Sequence, residues 1–147
     1  MTERVDFYVL KNASAKQGWV FACRLAEKAY LRDLRVAVLA ANEGDARGLD
    51  DLLWTFSDRS FVPHTLTPSE AGTTPVWLTS DVERSPPADL LVNLSNRMPG
   101  DLARFARIAE IIDADEERKR LGRERFKSYR ELQLTLETHQ LDPASEP

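Results

Sequence analysis

Val5-Asp-Phe-Tyr-Val-Leu10 and Arg35-Val-Ala-Val-Leu-Ala40, with a helical stretch between them, decide the fold. The first is a short apolar run bounded by polar residues and reads as a strand. The second is almost continuously apolar, as expected of a strand covered on both faces. Between them, Asn12 and Ser14 offer N-cap oxygens for a helix over residues 15–32. Trp19, Ala22, Cys23, Ala26 and Tyr30 recur at helical spacing, so one stripe of that helix faces a core. Strand, helix and strand in this order form a βαβ unit, which implies a parallel pair joined by a right-handed crossover.

The pattern continues with a second helix over residues 43–56. A long irregular connection over residues 57–74 follows, holding Pro63, Pro68 and Gly72. Pro75-Val-Trp-Leu78 and Asp89-Leu-Leu-Val-Asn93 are further strands, separated by a Pro86-Pro87 loop. After a short helix starting near Asp101, Ile108-Ala-Glu-Ile-Ile112 fits either a strand or continued helix. Its β-branched residues and the capping potential of the Asp113-Ala-Asp115 segment favour a strand. A last helix is predicted over residues 115–136, within a single domain of residues 1–136. Residues 137–147 read as a polar, frayed tail. The predicted fold class is α/β, a three-layer Rossmann-like sandwich with a mostly parallel central sheet.

At 147 residues the chain can bury a core without disulfides or metals. No apolar run approaches the roughly 20 residues that span a bilayer, and the N-terminus carries no apolar export signal. The single cysteine, Cys23, excludes an intrachain disulfide and a cysteine metal cluster, and the cytoplasm is the expected compartment.

The chemistry of common Rossmann-like enzymes is missing. The turn after the first strand, Lys11-Asn-Ala-Ser-Ala-Lys-Gln-Gly18, has one late glycine where a dinucleotide site needs several. The Asn42-Glu-Gly-Asp45 loop is acidic and would repel phosphate. His64 and His139 have no spacing for a metal site, and no serine sits in a nucleophile elbow. The expectation is a non-enzyme without cofactor or metal.

Charge is distributed unevenly. Residues 117–130 hold seven Lys/Arg against two Glu, a local +5 in a chain whose net charge is −4. The natural ligand of such a field is acidic. On a helix, Lys119, Arg123, Phe126, Lys127 and Arg130 share one face, and Gly122 leaves the Phe126 ring uncovered from the preceding turn. Leu121, Tyr129, Leu132 and Leu136 form a different stripe suited to packing inward. An aromatic floor with a cationic rim suits an acidic peptide ending in an aromatic residue and a carboxylate. A merely solvated basic face and direct binding of nucleic acid through phosphates are the competing readings. A second surface is suggested by Trp54 and Phe61, which straddle a helix end and a proline-containing loop. Such a pair serves either the core or a protein interface.

Over nearly its full length the chain resembles the chi subunit of bacterial DNA polymerase III holoenzyme. The resemblance rests on three segments: Val5-Asp-Phe-Tyr-Val-Leu10; Leu52-Leu-Trp54 with Ser60-Phe-Val-Pro-His64; and Leu121-Gly-Arg-Glu-Arg-Phe-Lys-Ser-Tyr-Arg130. It implies a Rossmann-like, non-enzymatic accessory subunit of the replicative polymerase, associated with the nucleoid through the replisome. It also implies two protein partners and only indirect contact with DNA. The psi subunit, which tethers such chains to the clamp loader, would meet Trp54 and Phe61, with Val62 and Pro63 beside them. An alternative helicase partner is thought to use the same surface. The acidic C-terminal tail of the single-stranded-DNA-binding protein would meet Lys119, Arg123, Phe126 and Lys127. Ile112 matches an apolar residue beside that site, and Arg130 shares its helical face. Two positions depart from the family pattern: Phe126 stands where Tyr is common, and Asp113 where Pro is familiar. The second places a carboxylate close to a site for an acidic ligand.

Overall fold

The computed structural model describes residues 2–58, 61–66 and 74–147. Its elements in chain order are β1 (Arg4–Leu10), α1 (Ala15–Tyr30), β2 (Val36–Leu39), α2 (Glu43–Thr55), β3 (His64–Thr65), β4 (Val76–Thr79), β5 (Ala88–Asn93), β6 (Phe105–Ile112), α3 (Glu116–Glu131) and β7 (Thr135–Leu141). Short 3-10 turns occupy Val82–Arg84 and Leu102–Arg104, the second where a short helix is predicted. Arg59, Ser60, Pro68 and Gly72 of the predicted irregular connection lie outside the described residues.

The sheet has seven strands in the order β3-β4-β2-β5-β6-β1-β7, and every pairing among the described residues is parallel. Alternation along each strand feeds two separate cores. Val36, Val38, Val76, Leu78, Val92 and Ala109 face α1 and α2, packing on Phe21, Ala26, Leu49 and Leu53. Ala37, Leu39, Trp77, Leu91, Ile108 and Ile112 face the other side, in one cluster with Phe126 and Tyr129 of α3. The result is the three-layer α/β sandwich that the sequence predicts.

Four expectations are corrected. β1 and β2 are parallel but not neighbours: β5 and β6 lie between them, and β1 pairs with β6 and β7. Adjacency within a βαβ unit is a local inference, whereas strand order is set by long-range packing. The last helix ends at Glu131, not near residue 136, because Gln133 takes a left-handed conformation (φ 61°) and reverses the chain. The predicted polar tail is therefore strand up to Leu141, with Arg4↔Thr135 through Leu10↔Leu141 in register on β1. The expected inward stripe on the last helix also changes. Tyr129 is buried, but Leu132 is exposed and Leu136 belongs to β7.

Beneath α3 lies a polar centre. Glu110, in the middle of β6, is fully buried. Its carboxylate accepts from Arg125 Nε at 3.1 Å, Tyr129 Oη at 2.6 Å and Asn93 Nδ2 at 2.9 Å. Burial pushes the Glu110 carboxyl above its ordinary value, and Arg125, Tyr129 and Asn93 pull the other way. Among the described residues, buried Arg125 Nη1 has no hydrogen-bond partner. A second buried carboxylate, Asp6 on β1, accepts from Arg4, Arg107 and His139, and so ties β6 and β7 to the strand between them.

Candidate functional site

The first site is built where β6 passes into α3. Asp115 caps the helix by accepting from Arg118 N at 2.9 Å, and Glu116 and Glu117 complement the helix dipole in its first turn. The axis of α3 lies close to the sheet at Gly122, where an added Cβ would stand 2.8 Å from Ile112 Cδ1. Between this helix and the sheet runs a groove of about 310 Å³. It is lined by Lys119, Gly122, Arg123 and Phe126 of α3, Ile112 of β6, Phe7 and Val9 of β1, and Thr138 of β7. Phe7 meets Phe126 edge-on, with ring centroids 5.3 Å apart. The groove is therefore apolar at its floor and cationic at its rim.

The seven cations of residues 117–130 divide into two sets. Arg118 is held by Asp113, with Nη2 to Oδ2 at 2.8 Å. Arg120 is paired with Glu117 and, at 2.8 Å, with Glu124. Arg125 is consumed by Glu110 in the interior. The second set is Lys119, Arg123, Lys127 and Arg130. Among the described residues Lys119 has only a long contact with the exposed Glu116, 3.6 Å. Such a pair contributes about 0–1 kcal/mol and leaves the ammonium available. Arg123, Lys127 and Arg130 are exposed, and Arg130 lies over the Phe126 ring at 6.0 Å.

Of the residues predicted for this site, Lys119, Arg123, Phe126 and Ile112 line the groove together. Lys127 and Arg130 lie outside the lining, on the exposed part of the same helix. Asp113 is almost fully buried, and its charge is compensated by Arg118 while it also accepts from Asp115 N. The carboxylate that the sequence places near the site is thus neutralised within the protein. Phe7, Val9 and Thr138 are additional members. The period-2 alternation of β1 signals that Phe7 and Val9 share a face, but their meeting with α3 is a tertiary fact.

The second surface lies at the far end of α2. Trp54 and Phe61 are 54% and 63% exposed, which rules out the core reading, and their ring centroids are 5.4 Å apart. His64 supports Trp54 from behind at 4.6 Å and is fixed by Val62 O and Asp50 O, at 2.6 and 3.1 Å from its two ring nitrogens. Pro63 is half-buried. Val62, predicted to share this surface, is instead 1% exposed and packs in the core on the α1/α2 side. Alternation in the extended segment turns Phe61 outward and Val62 inward.

Two other groupings of reactive side chains carry no site chemistry. Cys23 is buried and its thiol is pushed up to about 12 by desolvation, so it stays protonated and inert. Asp6, Glu137 and His139 approach one another as metal ligands might, but Arg4 pairs with both carboxylates and Arg107 with Asp6.

A family model for the DNA polymerase III chi subunit, HolC, matches residues 1–137. The chain belongs to the DNA polymerase III chi subunit family. Among its relatives is the DNA polymerase III subunit chi of Pseudomonas aeruginosa, 36% identical over 138 residues, covering 94% of this chain and 96% of that protein. The proteins of the same name from Escherichia coli and Haemophilus influenzae are each 29% identical. They cover 92% and 88% of this chain, and 97% and 92% of their own lengths. The family match over residues 1–137 includes β1, α2 and α3, which carry most of the two candidate surfaces.

Proposed function

We propose that this chain is a non-catalytic accessory subunit of the replicative DNA polymerase that joins two proteins through separate surfaces. The α3 groove takes the acidic C-terminal tail of single-stranded-DNA-binding protein. The Trp54/Phe61 surface takes the psi subunit, and with it the clamp loader. Membership of the chi family supports the replication setting.

The observation that carries the tail assignment is the division of cations on α3. Arg118 and Arg125 are held by the buried carboxylates of Asp113 and Glu110, and Arg120 is paired on the helix surface with Glu117 and Glu124; the other four are Lys119 and Arg123 on the groove lining and Lys127 and Arg130 on the exposed part of the same helix. An apolar floor with two cations at its rim fits a terminal aromatic side chain and its carboxylate, while Lys127 and Arg130 meet the acidic residues upstream. Each exposed ion pair contributes about 0–1 kcal/mol. Burial of an aromatic side chain adds about 1.5–3 kcal/mol. Neither alone approaches the roughly 8 kcal/mol of micromolar binding. Ring, carboxylate and charge therefore have to act together, and the affinity falls as salt rises.

Calorimetric titration with a synthetic acidic tail peptide tests this reading. Arg123→Ala should weaken binding three- to fivefold, the loss of one exposed pair of at most about 1 kcal/mol, and removing the peptide's last two residues, which takes away ring and carboxylate together, should abolish measurable binding. Equal binding by the shortened peptide sinks the tail assignment. Tighter binding of bare single-stranded DNA than of the peptide at physiological salt favours a direct nucleic-acid-binding module instead.

A further inference from the structure

We infer that Gly122 sets the depth of the α3 groove and so determines its preference for a bulky terminal side chain. The inference rests on the peptide-groove reading above and adds a specificity residue to it.

Glycine in the seventh position of a 16-residue helix needs a reason, because it weakens a helix relative to alanine. The backbone supplies none, since no glycine among the described residues has a positive φ. The reason is steric. A Cβ at position 122 would stand 2.8 Å from Ile112 Cδ1 and 3.5 Å from Ile112 Cγ1. The first distance is a collision and the second an ordinary contact. Both residues line the groove, and Ile112 is buried against Val5, Phe7 and Ile108 in the core beneath α3. That interior is close-packed, so a displaced Cδ1 has one open direction, into the groove. Otherwise α3 lifts from the sheet and moves Phe126 away from Phe7. Either change makes the floor shallower or misplaces its wall.

Lys119 and Arg123 stand on the same lining, one turn before Gly122 and one residue after it. A terminal carboxylate held between them places its own side chain over Gly122. The deep point of the groove therefore reads the last residue of the peptide, and reads it by size. The upstream acidic residues are read by charge elsewhere on α3. Gly122→Ala should then damage recognition of the terminal residue and spare the charge-driven part.

The test is fluorescence anisotropy on the full chain with two labelled acidic peptides, identical except that one ends in Phe and the other in Ala. For the unaltered chain the Phe-ended peptide should bind at least tenfold tighter. In Gly122→Ala its affinity should fall at least tenfold, while that of the Ala-ended peptide changes less than threefold, so the preference collapses. The double variant Gly122→Ala/Ile112→Val deletes the colliding Cδ1 and should regain at least a threefold preference for the Phe-ended peptide. It also supplies a folded comparison if Gly122→Ala alone is unstable. A Gly122→Ala protein that keeps the full preference overturns the inference, as does a natively folded double variant with no recovery. If the unaltered chain binds neither peptide, the tail-binding reading itself fails and this inference with it. If it binds both equally, only the size-reading role is lost.

Discussion

Arg125→Met probes the polar centre that anchors α3. The substitution keeps the side chain's length and apolar stem but removes the cation facing Glu110. The carboxylate, fully buried, then retains only the Tyr129 hydroxyl at 2.6 Å and the Asn93 amide at 2.9 Å. Removing one partner of a buried pair costs about 3–5 kcal/mol. The lower end applies because the existing pair is imperfect: Arg125 reaches Glu110 through Nε, and its Nη1 has no hydrogen-bond partner among the described residues. A loss of about 3 kcal/mol corresponds to a drop in Tm of roughly 10 °C in a chain of this size. The loss has a definite pH dependence. Burial already holds the Glu110 carboxyl above its ordinary value, and without Arg125 it rises further. A group with a raised folded value favours the folded state at low pH, and that contribution disappears as pH rises through the folded value. Chemical denaturation should therefore show a larger defect at pH 8 than at pH 5. Glu110→Gln/Arg125→Met, which removes the orphaned charge, should recover at least half of the loss. A defect below about 1 kcal/mol for Arg125→Met, or a double variant as unstable as the two single changes added together, would show that Arg125 does not compensate the buried Glu110 charge.

Trp54→Ala should abolish co-purification with psi while lowering stability by less than about 1 kcal/mol, because the ring is more exposed than buried; a much larger loss in a denaturation curve would return Trp54 to the core. Arg120→Gln should leave tail-peptide affinity within twofold of the unaltered chain, since Glu117 and Glu124 already hold that cation, whereas Arg123→Gln should weaken it three- to fivefold, the loss of one exposed pair of at most about 1 kcal/mol; the reverse order in a titration would overturn the division of cations. Burial pushes the Asp6 carboxyl up, but hydrogen bonds from Arg4, His139 and Arg107 outweigh it and hold the group below its ordinary 3.8. Its stabilising contribution is present above that value and lost as pH falls through the lower folded one, so Asp6→Asn should flatten the acid limb of a stability-against-pH curve, and an unchanged limb would count against this role.

The layered α/β fold was readable because its signals are local. Ser14 with Gln17 forms a reciprocal cap at the start of α1, Asn42 caps α2, and continuous apolar runs mark the buried parallel strands. The register of β1 against β6 and β7 was not readable, since pairing across the sheet is decided by long-range packing. β7 escaped because its usual warning was absent: Gln133, in place of glycine, adopts the left-handed turn that ends α3. As an edge strand, Thr135–Leu141 is also mostly exposed and polar.

The helical face of Lys119, Arg123 and Phe126 was legible from spacing alone. The neutralisation of Arg118, Arg120 and Arg125 was only partly legible. The Arg120 pairs are local on the helix, but the burial of Arg125 depends on Glu110, fifteen residues earlier and flanked by the apolar Ile108, Ala109, Ile111 and Ile112. Phe7, Val9 and Thr138 join the groove only because β1 and β7 lie side by side beneath α3.

Two separate surfaces on one chain should hold two partners at once. The most direct measurement is an anisotropy titration of the labelled acidic tail peptide, made with the chain alone and again with the chain saturated by psi. Binding should be micromolar in both cases, with dissociation constants within twofold of each other. Displacement of the peptide by psi, or no binding in either titration, would contradict it.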